Sequence, residues 1–176
     1  MIRLVTVCTA NLCRSPLAEH ALRRAAADRT PIEVRSTGVE LRPGRVPPSD
    51  WCDVVEGFGF DLRSHRSSEA DLDGADLVIG MTAEHLRRLA IDRPTLLGRL
   101  VTLRGAVARL ESPGSASGVA ADSVAALFVG EQRSIDLLRA DDRFDIADPY
   151  RRSRREQERV AAEIIDLADR LVRGLA

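Results

Sequence analysis

Lysine is absent from this sequence; all 26 basic side chains are arginine. Against 27 acidic side chains they leave a formal net charge of −1, which gives no overall field to draw in nucleic acid or an anionic membrane. Cysteine is scarce. Cys8, Cys13 and Cys52 are too few, and odd in number, for a disulfide scaffold; in a reducing compartment they point to catalysis or plain packing. No second ligand pair follows Cys8 and Cys13, so no metal is expected. No apolar run nears the ~20 residues of a membrane span. The N-terminus lacks the long apolar stretch of a secretory signal, and a cytoplasmic location is expected. Asparagine and tyrosine each occur once, and both fall in short polar motifs. Asn11 lies inside Cys8-Thr9-Ala10-Asn11-Leu12-Cys13-Arg14-Ser15, and Tyr150 closes Asp148-Pro149-Tyr150.

What is present alternates between short apolar runs and helical periodicity. Residues 2–7 read as a strand, and a helix starts near Ser15-Pro16, with Pro in its first turn and Glu19 near its positive end. Leu17, Ala21, Leu22 and Ala25 form the buried face of that helix. Ile32 to Ser36 reads as a second strand ended by Thr37-Gly38, followed by a Pro/Gly-rich loop from Arg42 to Pro48. A helix is predicted over Ser49 to Gly57, a strand over Leu77 to Gly80 and a helix over Thr82 to Leu89. A strand over Leu100 to Leu103 and a helix over Arg104 to Leu110 come next. Ser112 to Gly118 reads as an exposed loop and 119–139 as weakly defined helix. The last helix runs from about Ser153 to Val172, with Val160, Ile164, Leu167 and Leu171 on one stripe. The run Arg151 to Arg155 reads as the solvated start of this helix, with Glu156 and Glu158 as partners, rather than as a nucleic-acid patch. The expected fold class is α/β. It is a single domain over 1–176 with three α/β/α layers, a four-stranded parallel sheet and a phosphate-binding loop after strand 1. In such folds ligands bind at the carboxyl ends of the strands, where Cys8 lies.

The residues of that loop suit phosphoryl chemistry. A thiolate attacks where a thiol does not. Inward amide N–H groups, the following helix N-terminus and the charge of Arg14 all favour the ionised sulfur of Cys8. The Arg14 fork matches phosphoryl oxygens. Asn11 tolerates the left-handed backbone that such a loop needs. Ser15 is placed to donate to the sulfur, and Cys13 is close enough in sequence for a reversible, protective disulfide. Hydrolysis also needs an acid for the leaving oxygen. Asp148 is the candidate, on a loop stiffened by Pro149.

These two motifs resemble those of the low-molecular-weight protein tyrosine phosphatases, whose pattern C-x-G-N-x-C-R-S-P stands here as Cys8 to Pro16. Ser36-Thr37-Gly38 is similar to the family's loop after strand 2. Asp61-Leu62-Arg63-Ser64-His65 is similar to the segment bearing its supporting histidine. The resemblance implies two-step hydrolysis of phosphotyrosine through a phosphocysteine, without cofactor or metal. By position, Cys8 is the nucleophile, Arg14 clamps phosphate, and Asp148 is acid first and base second. Thr9, Ala10, Leu12 and Cys13 complete the phosphate loop. Asn11, Ser15, Ser36 and His65 hold it by hydrogen bonds, and Tyr150 walls the cleft. The implied partner is a phosphotyrosine protein, such as a bacterial tyrosine kinase, with no nucleic acid and no membrane.

Departures from the pattern set further expectations. Ala10 replaces the usual Gly and would be strained at positive φ. Loop 39–46 lacks the aromatic residue that often walls the cleft; Leu41 and Arg42 stand there. Thr82 follows Met81 where many relatives have Asp, and the stretch from Thr95 to Leu138 is longer than usual. Three rival readings remain open. Thioredoxin-linked arsenate reductases share the fold but need two further cysteines downstream, and none follows Cys52. Protein-arginine phosphatases favour Thr at the position of Leu12. A phosphate-sensing module without turnover would not need Asp148.

Overall fold

A computed structural model of the protein describes residues 1–27, 29–112 and 142–176. Ile2–Cys8 forms β1, Ile32–Gly38 β2, Leu77–Gly80 β3 and Leu100–Thr102 β4. All pairings are parallel and the strand order is β2-β1-β3-β4. β1 therefore has β2 on one side and β3 on the other, and the chain leaves its carboxyl end where the winding direction reverses. That is where a doubly wound sheet opens a crevice for a ligand.

The helices are α1 (Arg14–Ala26), α2 (Ser49–Glu56), α3 (Ala83–Asp92), α4 (Leu103–Leu110) and α5 (Arg154–Leu175). Alternation along the strands divides the core into two layers. Ile2, Leu4, Leu77, Ile79 and Val101 pack with α1, α2, α4 and α5. Val5, Val7, Val78 and Leu100 face the opposite way, against Leu86 and Leu89 of α3 and Leu96 of a 3-10 helix over Pro94–Arg99. The result is the three-layer α/β/α arrangement.

Several boundaries differ from the sequence expectation. Ser36 is strand as its pattern predicted, not part of the loop that the resemblance implied, and Thr37 and Gly38 continue β2, because the β1–β2 ladder runs on until Cys8 faces Gly38. Leu103 opens α4 instead of closing β4, since the Thr102 side chain accepts the Gly105 N–H at 3.1 Å and caps the helix. α3 continues to Asp92, and α5 runs from a Ser153–Glu156 capping box to Leu175. Glu19 does not serve the positive end of α1; it pairs with Arg23 one turn on. Ala25 is only partly buried, and Ala18 and Ala26 take its place on the inner face. The helical pattern over 119–139 and the loop from 113 lie outside the described residues.

Gly38 is where the sheet meets the loop of residues 9–13. A Cβ there would fall 2.6 Å from the Thr9 carbonyl oxygen, 2.9 Å from Asn11 N and 3.0 Å from Ala10 C. All three are backbone atoms and have no rotamer by which to give way. Gly38→Ala is therefore expected to destabilise the fold by about 1–3 kcal/mol, read as a lower melting temperature and denaturant midpoint. An unchanged midpoint would show that the loop yields easily.

Candidate active site

The residues 9–13 between β1 and α1 fold into a loop around the end of Cys8. Asn11 has φ 55°, in the left-handed region, and supplies the bend. Ala10 is not at positive φ, so the strain expected there does not arise. Among the described residues, none of the amide N–H groups of Ala10 to Cys13 donates to a protein acceptor. α1 likewise begins without a side-chain cap. These free donors, with the positive end of α1, suit an anion held above the sulfur.

The loop is held from behind by a buried network. Asn11 Nδ2 donates to Ser36 Oγ at 2.9 Å and to Ser15 Oγ at 3.1 Å, and Asn11 Oδ1 accepts from Ser68 N at 3.2 Å. The fully buried Asn11 amide thus has both hydrogens and its oxygen engaged. His65 Nε2 donates to the Asn11 carbonyl at 2.9 Å, and Ser67 Oγ donates to the Ala10 carbonyl at 2.9 Å. Ser15 Oγ lies 3.1 Å from Cys8 Sγ and 3.1 Å from the Thr37 carbonyl. Its single hydrogen serves one of them at a time, so it is available when the sulfur carries charge.

Arg14 is buried, and its guanidinium reaches across the site. Nη1 donates to the Ile146 carbonyl at 3.1 Å, and Nη2 lies 3.1 Å from Asp148 Oδ2. Arg14 Nε is buried with no partner among the described residues. A buried donor left unpaired costs about 1–3 kcal/mol, which a ligand oxygen would recover. Asp148 is half exposed, and its Oδ1 accepts the Tyr150 N–H at 3.2 Å. The segment before it is fixed by Ile146 N to the Met81 carbonyl at 2.8 Å and by Ala83 N to Asp145 Oδ1 at 2.6 Å. Behind it, the buried Gln157 bonds Asp50 at 2.8 Å and the Pro149 carbonyl at 3.4 Å.

The structure gathers every residue singled out in the sequence. Cys8, Thr9, Ala10, Leu12, Cys13, Arg14, Asp148 and Tyr150 line one cleft of about 280 Å³, joined by Glu40, Arg42 and Arg45. Asn11, Ser15, Ser36 and His65 form the support behind it. A larger depression of about 650 Å³ beside β1 mixes arginines with carboxylates and holds no cysteine, so it has no comparable chemistry. Cys8 and Cys13 are both free thiols. Burial, aided by Cys8 and Asp148, pushes the Cys13 thiol up, against the pull of Arg14. Cys13 is therefore a protonated neighbour at neutral pH.

Sequence reasoning missed His85, Ser67, Ser68 and Gln157. His85 caps α3 with Thr82, in a box whose usual third-position carboxylate is replaced by imidazole. His85 Nδ1 accepts the Thr82 N–H at 3.1 Å, which assigns the ring proton to Nε2. Nε2 then donates to Thr9 Oγ1 at 3.1 Å. Burial, then the charge of Arg14, depresses His85 to about 3 and keeps it neutral. Thr82 is thus the cap that orients this histidine.

A model of the family described as low molecular weight phosphotyrosine protein phosphatase matches residues 3–110. The low molecular weight protein-tyrosine-phosphatase Etp of Escherichia coli (strain K12) is 28% identical over 99 residues. That match covers 54% of this chain and 65% of the relative, just under two thirds of its length. A protein-arginine-phosphatase of Bacillus subtilis (strain 168) is 33% identical over 105 residues, 57% of this chain and 69% of its own. The solved low molecular weight protein tyrosine phosphatase from T. tengcongensis has a TM-score of 0.71 at 25% identity, covering 99% of this chain and 100% of that one. Asp148 and Tyr150 lie beyond the family match, yet both line the cleft, with Asp148 3.1 Å from Arg14.

Proposed function

We propose, given that this chain belongs to the low molecular weight phosphotyrosine protein phosphatase family, that it hydrolyses phosphotyrosine in proteins through a phosphocysteine. The observation that carries the reading is the buried Arg14 Nε, with no acceptor among the described residues, in the same cleft as Cys8. With Nε unspent and Nη2 held by a half-exposed carboxylate that can yield, the guanidinium can offer a phosphoryl group the two-point fork it requires.

In the first step the Cys8 sulfur attacks phosphorus. The P–S bond forms as the P–O bond to the phenol breaks, and Asp148 gives its proton to the departing oxygen. The loop amides and Arg14 hold the equatorial oxygens as charge spreads over them. In the second step Asp148, now a carboxylate, takes a proton from water. That oxygen attacks phosphorus, the P–S bond breaks, and inorganic phosphate leaves. Ser15 donates to the sulfur as it regains its electron pair. Arg14 is spent on Asp148 in this structure, so an incoming phosphoryl group competes for the guanidinium and releases the half-exposed Asp148, which takes up a proton from solvent and turns toward the leaving group. Leu12 and Tyr150 give the phenyl ring apolar contact.

A second reading, hydrolysis of phosphoarginine, is favoured by the likeness to the B. subtilis protein-arginine-phosphatase. The two are separated by measuring phosphate release from phosphotyrosine, phosphoarginine and phosphoserine peptides side by side, with arsenate reduction as control. Phosphotyrosine is expected to lead. A lead for phosphoarginine would replace the reading with the second one, and no release from any peptide would leave a phosphate-binding module.

A further inference from the structure

Arg42-Pro43-Gly44-Arg45 has the chemistry of a type II β-turn, with Pro at the second position and Gly44 at φ 80° in the third. Arg45 N closes it on the Arg42 carbonyl at 3.4 Å. Such a turn sets its first and fourth residues side by side, and here both are arginines lining the cleft of Cys8. The turn is anchored to Ser67: Gly44 N donates to the Ser67 carbonyl at 2.8 Å, and Ser67 N to the Arg45 carbonyl at 2.8 Å. Ser67 Oγ in turn bonds Ala10, so the pair is mounted on the phosphate loop itself.

The charges in this cleft do not balance. Glu40 is answered by Arg88 at 2.5 Å and Asp148 by Arg14 at 3.1 Å. Among the described residues the exposed side chains of Arg42 and Arg45 have neither a carboxylate nor any hydrogen-bond partner. A third arginine, Arg151, stands 5.2 Å from the centre of the ring of Tyr150, which lines the cleft. The phosphoryl group itself falls to Arg14 and the loop amides. Two cations on a clamped turn therefore remain for something else on the substrate.

Resting on the phosphatase reading, we propose that Arg42 and Arg45 read acidic side chains beside the phosphorylated residue. The substrate class is then a phosphoprotein segment bearing Asp or Glu next to its phosphotyrosine. Lone exposed ion pairs are weak, but two on a pre-formed turn act on one ligand together and also steer its approach. At higher salt the attraction is screened, since the Debye length shrinks from about 10 Å at 0.1 M to about 3 Å at 1 M.

The test uses the whole protein and two peptides with a non-hydrolysable phosphonate in place of phosphotyrosine. One carries flanking Asp and Glu; the other carries Asn and Gln at the same positions. The acidic peptide is expected to bind about fivefold tighter at low salt. That ratio should shrink toward one at high salt, and in Arg42→Gln/Arg45→Gln. Equal affinities for wild type, or a ratio kept in the double variant, would overturn the proposal. Binding is read without turnover, so its failure is told apart from failure of the phosphatase reading, which is tested by hydrolysis of a small aryl phosphate.

Discussion

Cys8→Ser should reduce hydrolysis of an aryl phosphate by a factor on the order of 10^5 while leaving phosphate affinity nearly unchanged. A hydroxyl at this position stays protonated at neutral pH and attacks phosphorus poorly. Nothing in the loop is built to remove its proton; Ser15 is a donor to the sulfur, 3.1 Å away, not a base. The binding apparatus is separate. Arg14, the amides of residues 10–13 and the start of α1 do not depend on the sulfur. The measurements are single-turnover phosphate release and equilibrium binding of inorganic phosphate. Substantial residual turnover would remove Cys8 as nucleophile, and lost phosphate binding would mean that the substitution had collapsed the loop.

The second large effect is expected at Asp148. Replacing it by Ala should slow phenyl phosphate by about 10²- to 10³-fold, the usual worth of a positioned acid. A dinitrophenyl ester, whose leaving oxygen needs no proton, should slow far less. The contrast matters because Arg14 contacts Asp148 in this structure, so its loss also alters the guanidinium. An effect through Arg14 would strike both esters alike, whereas loss of the acid separates them. Equal slowing of the two would end the assignment of Asp148 as acid.

Much of the layout was legible because its signals are local. Leu77 to Gly80 is apolar on both faces and lies at the centre of a parallel sheet, where such a run belongs. The stripe Val160, Ile164, Leu167 and Leu171 is buried as its spacing predicted. Element ends were less legible. Gly38 looks like a strand breaker, yet it ends β2 because only a residue without Cβ fits against Thr9, Ala10 and Asn11. The loop from Cys8 to Ser15 stood out because its chemistry-bearing residues are contiguous. Asp148 was found through its flanking Pro and Tyr, not through any pattern linking it to Arg14. His85, Ser67 and Ser68 left no trace. They bond Thr9, Ala10 and Asn11 across 57 to 76 residues of chain, and a contact of that range imposes no periodicity on either partner. Thr82 carried half a signal, a helix-cap residue whose third-position partner is a histidine instead of the expected carboxylate.

The Ser67 hydroxyl ties the turn at the mouth to the loop at the base. In many enzymes a surface turn varies freely between lineages while the chemistry beneath it stays put. Here one residue belongs to both, its backbone to the turn and its hydroxyl to the loop. Lengthening the 42–45 turn shifts the Ser67 backbone, and with it the carbonyl of Ala10. New tastes in substrate are therefore reached more easily by exchanging the arginines on a turn of fixed length than by insertion or deletion within it.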